Sequence, residues 1–161
     1  MGGKGGVVMA LTFIMIVGTA GAGKSTLARE LAEEYGAIIL SSDNIRYELY
    51  GNAECQDDPA KVFEIMNART QAFLRSGTSV IYDATNLLAK RRHELLLSLP
   101  CGVRKECWVV HPTMRVTLRQ NKHRSRQVPE AVIYRQRRMF QPPTKGEGWD
   151  VIKYRSPTDH R

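Results

Sequence analysis

The chain has 161 residues, 42% of them hydrophobic, and this length suits one compact domain. Its three cysteines show no CxxC spacing, which excludes a disulfide framework and a zinc site and indicates a reducing, cytoplasmic setting. Residues 104–138 carry the whole formal charge of +8, with ten Lys and Arg beside only Glu106 and Glu130, which suggests either a phosphate-rich partner or a solvated basic face.

The N-terminal stretch combines a lysine, an apolar run and small residues, and so imitates a secretory signal. Cleavage there would destroy the glycine-rich segment that follows, and the apolar run is too short to cross a membrane. We therefore expect no membrane association. The pattern predicts a flexible leader over residues 1–10 and a single domain over residues 11–161.

Apolar runs and helical repeats alternate along the chain. The first run shows no polar alternation, as in a strand that is buried on both faces. This alternation predicts an α/β fold with a mainly parallel sheet flanked by helices. In chain order the predicted elements are a strand over Leu11–Val17, a helix over Lys24–Tyr35, a strand over Ala37–Ser41, a helix over Val62–Leu74, a strand over Thr78–Asn86, a helix over Ala89–Leu99, a strand over Glu106–Val110, helices over Met114–Asn121 and Pro129–Met139, and a strand over Asp150–Tyr154.

Four of the predicted strands are followed directly by polar residues, in the segments GTAGAGKS, SSD, DATN and HPT. Ligands of parallel sheets bind beyond the carboxyl ends of the strands. We therefore expect these four segments to lie along one edge of the sheet and to form the functional site.

The segment GTAGAGKS fits the pattern G-x-x-x-x-G-K-[ST] between a predicted strand and a predicted helix. Glycines let backbone N–H groups surround phosphate oxygens without a Cβ in the way, and the helix N-terminus favours the negative charge. Lys24 is expected to reach the β- and γ-phosphates, and the Ser25 hydroxyl to bind Mg²⁺. The residues predicted to bind ATP here are Gly18, Thr19, Ala20, Gly21, Ala22, Gly23, Lys24, Ser25 and Thr26.

ATP is expected rather than GTP. A GTPase would normally select guanine with the motif N-K-x-D. The nearest match is NKHR over residues 121–124, which has arginine where the aspartate should be.

The segment SSDNIR places Asp43 at the end of the second predicted strand and Arg46 three residues later. Both face the same way if a helix begins here. A kinase needs a carboxylate to accept the proton of the acceptor hydroxyl, and a cation to position an anionic acceptor. The alternative is that Asp43 only caps the following helix.

The segment DATN offers three more polar side chains at a strand end, Asp83, Thr85 and Asn86. Asp83 is expected either to hold a water bound to Mg²⁺ or to anchor Arg46. Ordinary turn chemistry through Asx-type hydrogen bonds is the alternative for this segment.

An arginine-rich joint with the sequence RQNKHRSRQVPE connects two predicted helices. Arginines on a mobile lid can stabilise charge on a transferring phosphoryl group. Solvent-exposed, solubilising arginines are the alternative. The candidates are Arg119, Arg124 and Arg126, of which we assign Arg119 to ATP binding.

Together these four motifs resemble the kinase domain of 5′-OH polynucleotide kinases, as found in phage and bacterial end-repair enzymes. The matching segments are GTAGAGKS, SSDNIR, YDATN and NKHRSRQVPEAVIYR, in that order and at similar spacing between about Leu11 and Tyr154. The resemblance implies a P-loop kinase fold with an arginine-rich helical lid over about residues 119–130. It also implies transfer of the γ-phosphate of ATP to a 5′-OH end of DNA or RNA.

The resemblance implies roles for single residues. Lys24 and Ser25 match the ligands of phosphate and Mg²⁺, and Asp43 matches the general base that activates the 5′-OH. Arg46 matches the residue that holds a phosphate of the acceptor. Asp83, Thr85 and Asn86 are expected near the acceptor, and Arg124 and Arg126 at the ATP phosphates.

The chain also departs from this family. Its lid segment NKHRSRQ is one residue shorter than in some relatives, which leaves open which of Arg124 and Arg126 contacts the γ-phosphate. Relatives often carry a fused phosphatase or ligase domain, for which 161 residues leave no room. Any 3′-end chemistry or sealing would therefore need a separate partner.

The sequence thus predicts an ATP- and Mg²⁺-dependent polynucleotide 5′-hydroxyl kinase. One alternative is a kinase of a small molecule such as a sugar, a nucleoside or an antibiotic, because a fold does not fix the acceptor. Another is a nucleotide-regulated module that binds nucleic acid without transferring phosphate. DNA or RNA preference and acceptor length do not follow from the sequence.

Overall fold

The computed structural model describes residues 10–155 as a five-stranded sheet in which every strand pairs in parallel with its neighbours. The predicted leader lies outside the described residues except for Ala10. The strands follow the spatial order β2-β3-β1-β4-β5. They are β1 (Thr12–Val17), β2 (Ile38–Ser41), β3 (Val80–Asp83), β4 (Arg104–Val110) and β5 (Val151–Arg155). The predicted parallel α/β fold is confirmed.

Helices connect the strands. None of those in the described part of the chain is both long and apolar enough to cross a membrane. They are α1 (Lys24–Tyr35), α2 (Ser42–Tyr50), α3 (Pro59–Arg75), α4 (Ala89–Ser98), α5 (Met114–Lys122) and α6 (Glu130–Met139), and a 3₁₀ turn follows at Lys145–Glu147.

Most predicted boundaries lie within one or two residues of the observed ones. β3 is shorter than predicted and ends at Asp83. It cannot extend to Asn86, whose φ of 50° is incompatible with extended backbone. α3 begins three residues earlier than predicted, since the side chain of Asp58 caps it and Pro59 occupies the first turn.

β1 lies at the centre of the sheet, and all six of its residues are buried. Phe13 and Met15 join the core on the face covered by α3 and α4, whereas Ile14 and Ile16 join the core beneath α1. The strand is therefore buried on both faces, as its unbroken apolar run predicts.

A buried ion pair between Arg92 of α4 and Glu147 of the 3₁₀ turn braces the loop after β3. The two side chains are 1% and 7% exposed, and the Nε–Oε1 distance is 2.8 Å. Arg92 also donates to the backbone carbonyls of Asn86 and Gln141, and Trp149 donates to Glu147. Burial alone would raise the pKa of Glu147, but hydrogen bonds from Arg92 and Trp149 bring it below its ordinary value. The pair thus fixes the loop that leads out of β3.

Candidate active site at the carboxyl ends of the strands

The glycine loop is packed tightly against two strand ends. The N–H of Gly18 donates to the carbonyl of Thr85 at 3.0 Å, which ties the loop to the segment after β3. A Cβ on Gly18 would lie only 2.6 Å from the carbonyl oxygen of Val110, at the end of β4. Gly23 is the N-cap of α1 with a φ of 97°, a conformation that favours glycine. Both positions therefore require glycine.

Lys24 begins α1 and folds back over the loop. Its Nζ donates to the carbonyl of Thr19 at 2.9 Å. Burial lowers its pKa, whereas the carboxylates of Asp83 and Asp43 act in the opposite direction. The ammonium group therefore lies within electrostatic range of both predicted acidic residues, although they come from different strand ends.

Two helices hold the other side of the loop. The N–H of Ala20 donates to Oε1 of Gln136 on α6 at 2.8 Å. Gly21 lies against α5, where a Cβ would come within 3.3 Å of Asn121 and of the Thr117 carbonyl. Gln136 was not detectable from the sequence, because a single glutamine on a helix has no distinguishing pattern.

Asp43 lies in the first turn of α2, but it does not cap the helix. That role belongs to Ser41, whose hydroxyl accepts a hydrogen bond from the N–H of Asn44. The carboxylate of Asp43 is 45% exposed and binds two arginines. Oδ1 lies 3.2 Å from Nη1 of Arg46, and Oδ2 lies 2.6 Å from Nη2 of Arg126.

Arg46 lies one turn further along α2 and is 12% exposed. Its Nη1 also contacts the hydroxyl of Ser42 at 3.5 Å, and its Nε is buried without a partner among the described residues. The hydrogen bonds of Arg46 thus go to Asp43 and Ser42, so the expectation that Asp83 anchors it is wrong. The guanidinium lies beside Asp43, which lines the cleft described below, whereas its Nε is itself buried.

Asp83 ends β3 and pairs in register with Ser41 of β2 and Ile16 of β1. Burial raises the pKa of its carboxyl, Lys24 acts to lower it, and Asp43 raises it further. A cation bound here would offset the cost of keeping this carboxylate charged.

The joint between α5 and α6 is held by Asn121. Its amide group donates to the carbonyl of Val128 and accepts from the N–H of the same residue, at 2.8 and 2.9 Å. These two hydrogen bonds fix the turn that carries Arg124 and Arg126. Nη1 of Arg124 is buried without a partner among the described residues. Burial and the neighbouring Arg126 lower the pKa of Arg124. A bound anion would accept a hydrogen bond from Nη1 and stabilise the charged form of the guanidinium.

These elements enclose a cleft of about 430 Å³. Five residues singled out in the sequence line it, namely Ser25, Asp43, Asp83, Arg124 and Arg126. The residues that sequence reasoning missed are Ala28, Arg29, Ile39, Ser41, Asn44, Ala53 and Ser125. Arg29 was detectable in principle, because it lies one turn after Ser25 on the same face of α1.

Thr85 and Asn86 were expected near the acceptor, but their recorded hydrogen bonds are structural. The carbonyl of Thr85 holds Gly18, and the side-chain amide of Asn86 donates to the carbonyl of Ile16 at 2.8 Å. Both residues thus secure the glycine loop to the ends of β1 and β3. Arg119 is exposed on α5, where it lines a separate depression with Arg115, Leu118 and Lys122.

The donor set at the cleft fits a magnesium ion. Ser25 offers a hydroxyl and Asp83 a carboxylate, and Mg²⁺ is commonly held by one or two such oxygens, with waters and substrate phosphates completing its shell. Within residues 10–155 no group of three or more His, Cys, Asp or Glu could hold a metal ion by itself. A site that relies on substrate phosphates is consistent with this sparse donor set.

A family model described as an AAA domain matches residues 13–143. No curated protein matches the chain. Among solved structures, a gluconokinase from Sinorhizobium meliloti 1021 aligns with a TM-score of 0.65 at 22% identity, covering 91% of this chain and 82% of that one. A sugar kinase from Janibacter sp. HTCC2649 aligns with a TM-score of 0.68 at 17% identity, over 90% and 84% of the two chains.

A chain of the Pnkp1/Rnl/Hen1 RNA repair complex aligns with a TM-score of 0.72 at 19% identity. The match covers 86% of this chain but only 46% of that one. At these identities the likeness establishes the fold and leaves the acceptor open. The five-stranded parallel sheet, the glycine loop and these alignments show that the protein has the P-loop kinase fold, and the family match shows that it belongs to the AAA domain family.

Proposed function

We propose that the protein is an ATP-dependent polynucleotide 5′-hydroxyl kinase. The observation that carries the proposal is the ion pair between Asp43, which lines the cleft, and Arg46, which lies directly behind it on α2. Asp43 is a half-exposed carboxylate, and the Nε of Arg46 is buried without a partner among the described residues. A carboxylate beside a cation that can bind an anion is what a hydroxyl acceptor with a nearby phosphate requires.

The other side of the cleft supports binding of ATP. The glycine loop, Lys24 and the N-terminus of α1 favour the β- and γ-phosphates. Arg124 contributes the buried Nη1 that lacks a partner within residues 10–155. Ser25 and Asp83 would hold Mg²⁺, which when bound neutralises charge on the phosphates.

The chemistry then needs only groups that line this cleft or its glycine loop. Asp43 accepts the proton of the acceptor hydroxyl while that oxygen forms a bond to the γ-phosphorus. The bond from the γ-phosphorus to the bridging oxygen breaks, and ADP leaves with the electron pair. Lys24 and Arg124 stabilise the charge that spreads over the transferring group.

The basic surface of α5, α6 and their joint supports a polyanionic acceptor. Its exposed cations include Arg115, Lys122, Arg135 and Arg138. Contacts between such cations and backbone phosphates weaken steeply with salt. We therefore expect oligonucleotide binding to fall as the salt concentration rises.

A small hydroxyl compound is the second candidate acceptor, and one feature favours it. The segment 48–58, which contributes Ala53 to the cleft, carries four acidic residues and no Lys or Arg. An acidic segment beside the acceptor would repel a long polyanion. The gluconokinase and the sugar kinase among the structural matches act on small molecules, as their names state.

Transfer from γ-labelled ATP separates the two candidates. The wild type, Asp43→Asn and Arg46→Ala would be assayed on 5′-OH oligonucleotides and on a panel of sugars and nucleosides. We expect label on the oligonucleotides, at least about a hundredfold less with Asp43→Asn, and a raised KM with Arg46→Ala. Label on a small compound that survives Arg46→Ala would support the second candidate instead.

A further inference from the structure

Both carboxylate oxygens of Asp43 are occupied by arginines. Oδ1 binds Arg46 at 3.2 Å and Oδ2 binds Arg126 at 2.6 Å. A general base must present an oxygen to the hydroxyl whose proton it takes. Each oxygen keeps a second lone pair, and release of one arginine would open Asp43 more fully to that hydroxyl.

The two arginines differ in how firmly they are held. Arg46 lies on the same helix as Asp43, is 12% exposed and also contacts Ser42. Arg126 lies in the joint between α5 and α6, 83 positions from Asp43, and is 33% exposed. Within residues 10–155 its only recorded hydrogen bond is the one to Asp43. Arg126 is therefore the partner that can leave.

Arg126 also lies close to where the triphosphate would bind. Its charge acts on Lys24 and on Arg124, the two cations assigned to the phosphates. A phosphate placed between those groups would attract Arg126 and compete with Asp43 for it. Asp43 offers Arg126 one charge-assisted hydrogen bond, and a phosphate can accept two from the same guanidinium, so the exchange replaces one strong contact by another.

We propose that Arg126 is a positioning residue that exchanges its ion pair with Asp43 for the γ-phosphate when ATP binds, which opens Asp43 to the acceptor hydroxyl. This inference rests on the proposed function only for ATP binding, and it holds for either class of acceptor. Arg124, whose Nη1 has no partner in the described part of the chain, is then the lid arginine that can bind phosphate without leaving another partner.

A double-mutant cycle on nucleotide affinity tests the exchange without any acceptor. The affinity for a non-hydrolysable ATP analogue would be measured for the wild type, Asp43→Asn, Arg126→Ala and the double variant. Asp43→Asn releases Arg126, so the analogue should bind at least about fivefold more tightly. In the Arg126→Ala background this gain should largely disappear. ADP affinity should rise less than that of the analogue, since ADP has no γ-phosphate to accept Arg126.

Removing the negative charge of Asp43 also strengthens the binding of any anion nearby. The double-mutant cycle separates this general charge effect from the release of Arg126. If Asp43→Asn tightens binding equally with and without Arg126, charge alone acts and the exchange is overturned. Arg29→Ala is the matched control, because Arg29 lines the same cleft without a recorded bond to Asp43. In that background the gain should persist. Failure of every variant to bind the analogue would overturn the proposed function as well, whereas additivity with intact binding overturns only the exchange.

Discussion

Gln136 on α6 accepts a hydrogen bond from the backbone N–H of Ala20 at 2.8 Å, so the helix that follows the arginine joint is bonded directly to the glycine loop. α5 packs on the same loop through Gly21. The joint that carries Arg124 and Arg126 is therefore bounded on both sides by helices that contact the nucleotide-binding loop. Contacts of this kind would couple the position of the arginines to the nucleotide.

Loss of this anchor should weaken nucleotide binding. A neutral hydrogen bond contributes about 1 kcal/mol, so Gln136→Ala should lower ATP affinity roughly fivefold. Titration calorimetry measures the change. Gln127→Ala is the control, since that exposed side chain donates only to the carbonyl of Lys122. Equal affinities for the wild type and Gln136→Ala would show that the bond does not hold the loop for ATP.

Gly18→Ala should damage both the fold and the site. The new Cβ would lie 2.6 Å from the carbonyl oxygen of Val110. This oxygen belongs to the backbone of β4, so it cannot move aside as a flexible side chain could. We expect a loss of about 1–3 kcal/mol in the free energy of unfolding, as for other overpacked positions. Urea denaturation measures it. Gly146→Ala is the control, because its nearest contact would be an ordinary 3.8 Å, and a similar loss there would refute the steric explanation.

The Arg92–Glu147 pair should be costly to break from one side. Arg92→Met leaves a buried carboxylate without its main partner, and we expect a loss of about 3–5 kcal/mol in the free energy of unfolding. Replacing both residues by Met should recover much of it. Arg69→Met removes a solvent-exposed partner of Glu48 and should change little. A double variant no more stable than Arg92→Met alone would contradict this interpretation.

His111 should make the fold more sensitive to acid. It stacks on Phe140 at 4.3 Å, and burial, assisted by Arg137, lowers its pKa from the ordinary 6.5. Unfolded chains then take up the proton before folded ones, so this contribution to stability is complete above about pH 6.5 and is lost as the pH falls. His111→Phe keeps the stacking and removes the titration. Unfolding free energies at pH 7 and 5 should fall more for the wild type than for the variant, and parallel losses would refute the role.

The sequence predicted those features that periodicity or motif spacing encodes. The parallel sheet followed from unbroken apolar runs such as the one in β1. Because the carboxyl ends of parallel strands lie at one edge, the sequence alone predicted that Ser25, Asp43 and Asp83 lie near each other, and all three line the cleft. The glycine motif predicted that this edge binds the phosphates of a nucleotide.

Contacts between single polar side chains far apart in the chain were not predictable. Arg126 meets Asp43 across 83 positions, Gln136 meets Ala20 across 116, and Arg92 meets Glu147 across 55. Each depends on how two helices or loops pack, and a lone polar residue produces no repeat that reveals its partner. The positions of Thr85 and Asn86 show the same limit, because their motif indicated a ligand site and their hydrogen bonds secure the glycine loop.

Transfer to a 5′-hydroxyl can be measured with matched oligonucleotides. The protein would be incubated with γ-labelled ATP, Mg²⁺ and DNA or RNA strands of one sequence that carry either a 5′-OH or a 5′-phosphate. We expect label on the 5′-OH strand alone. Binding of ATP without label on any strand would contradict it.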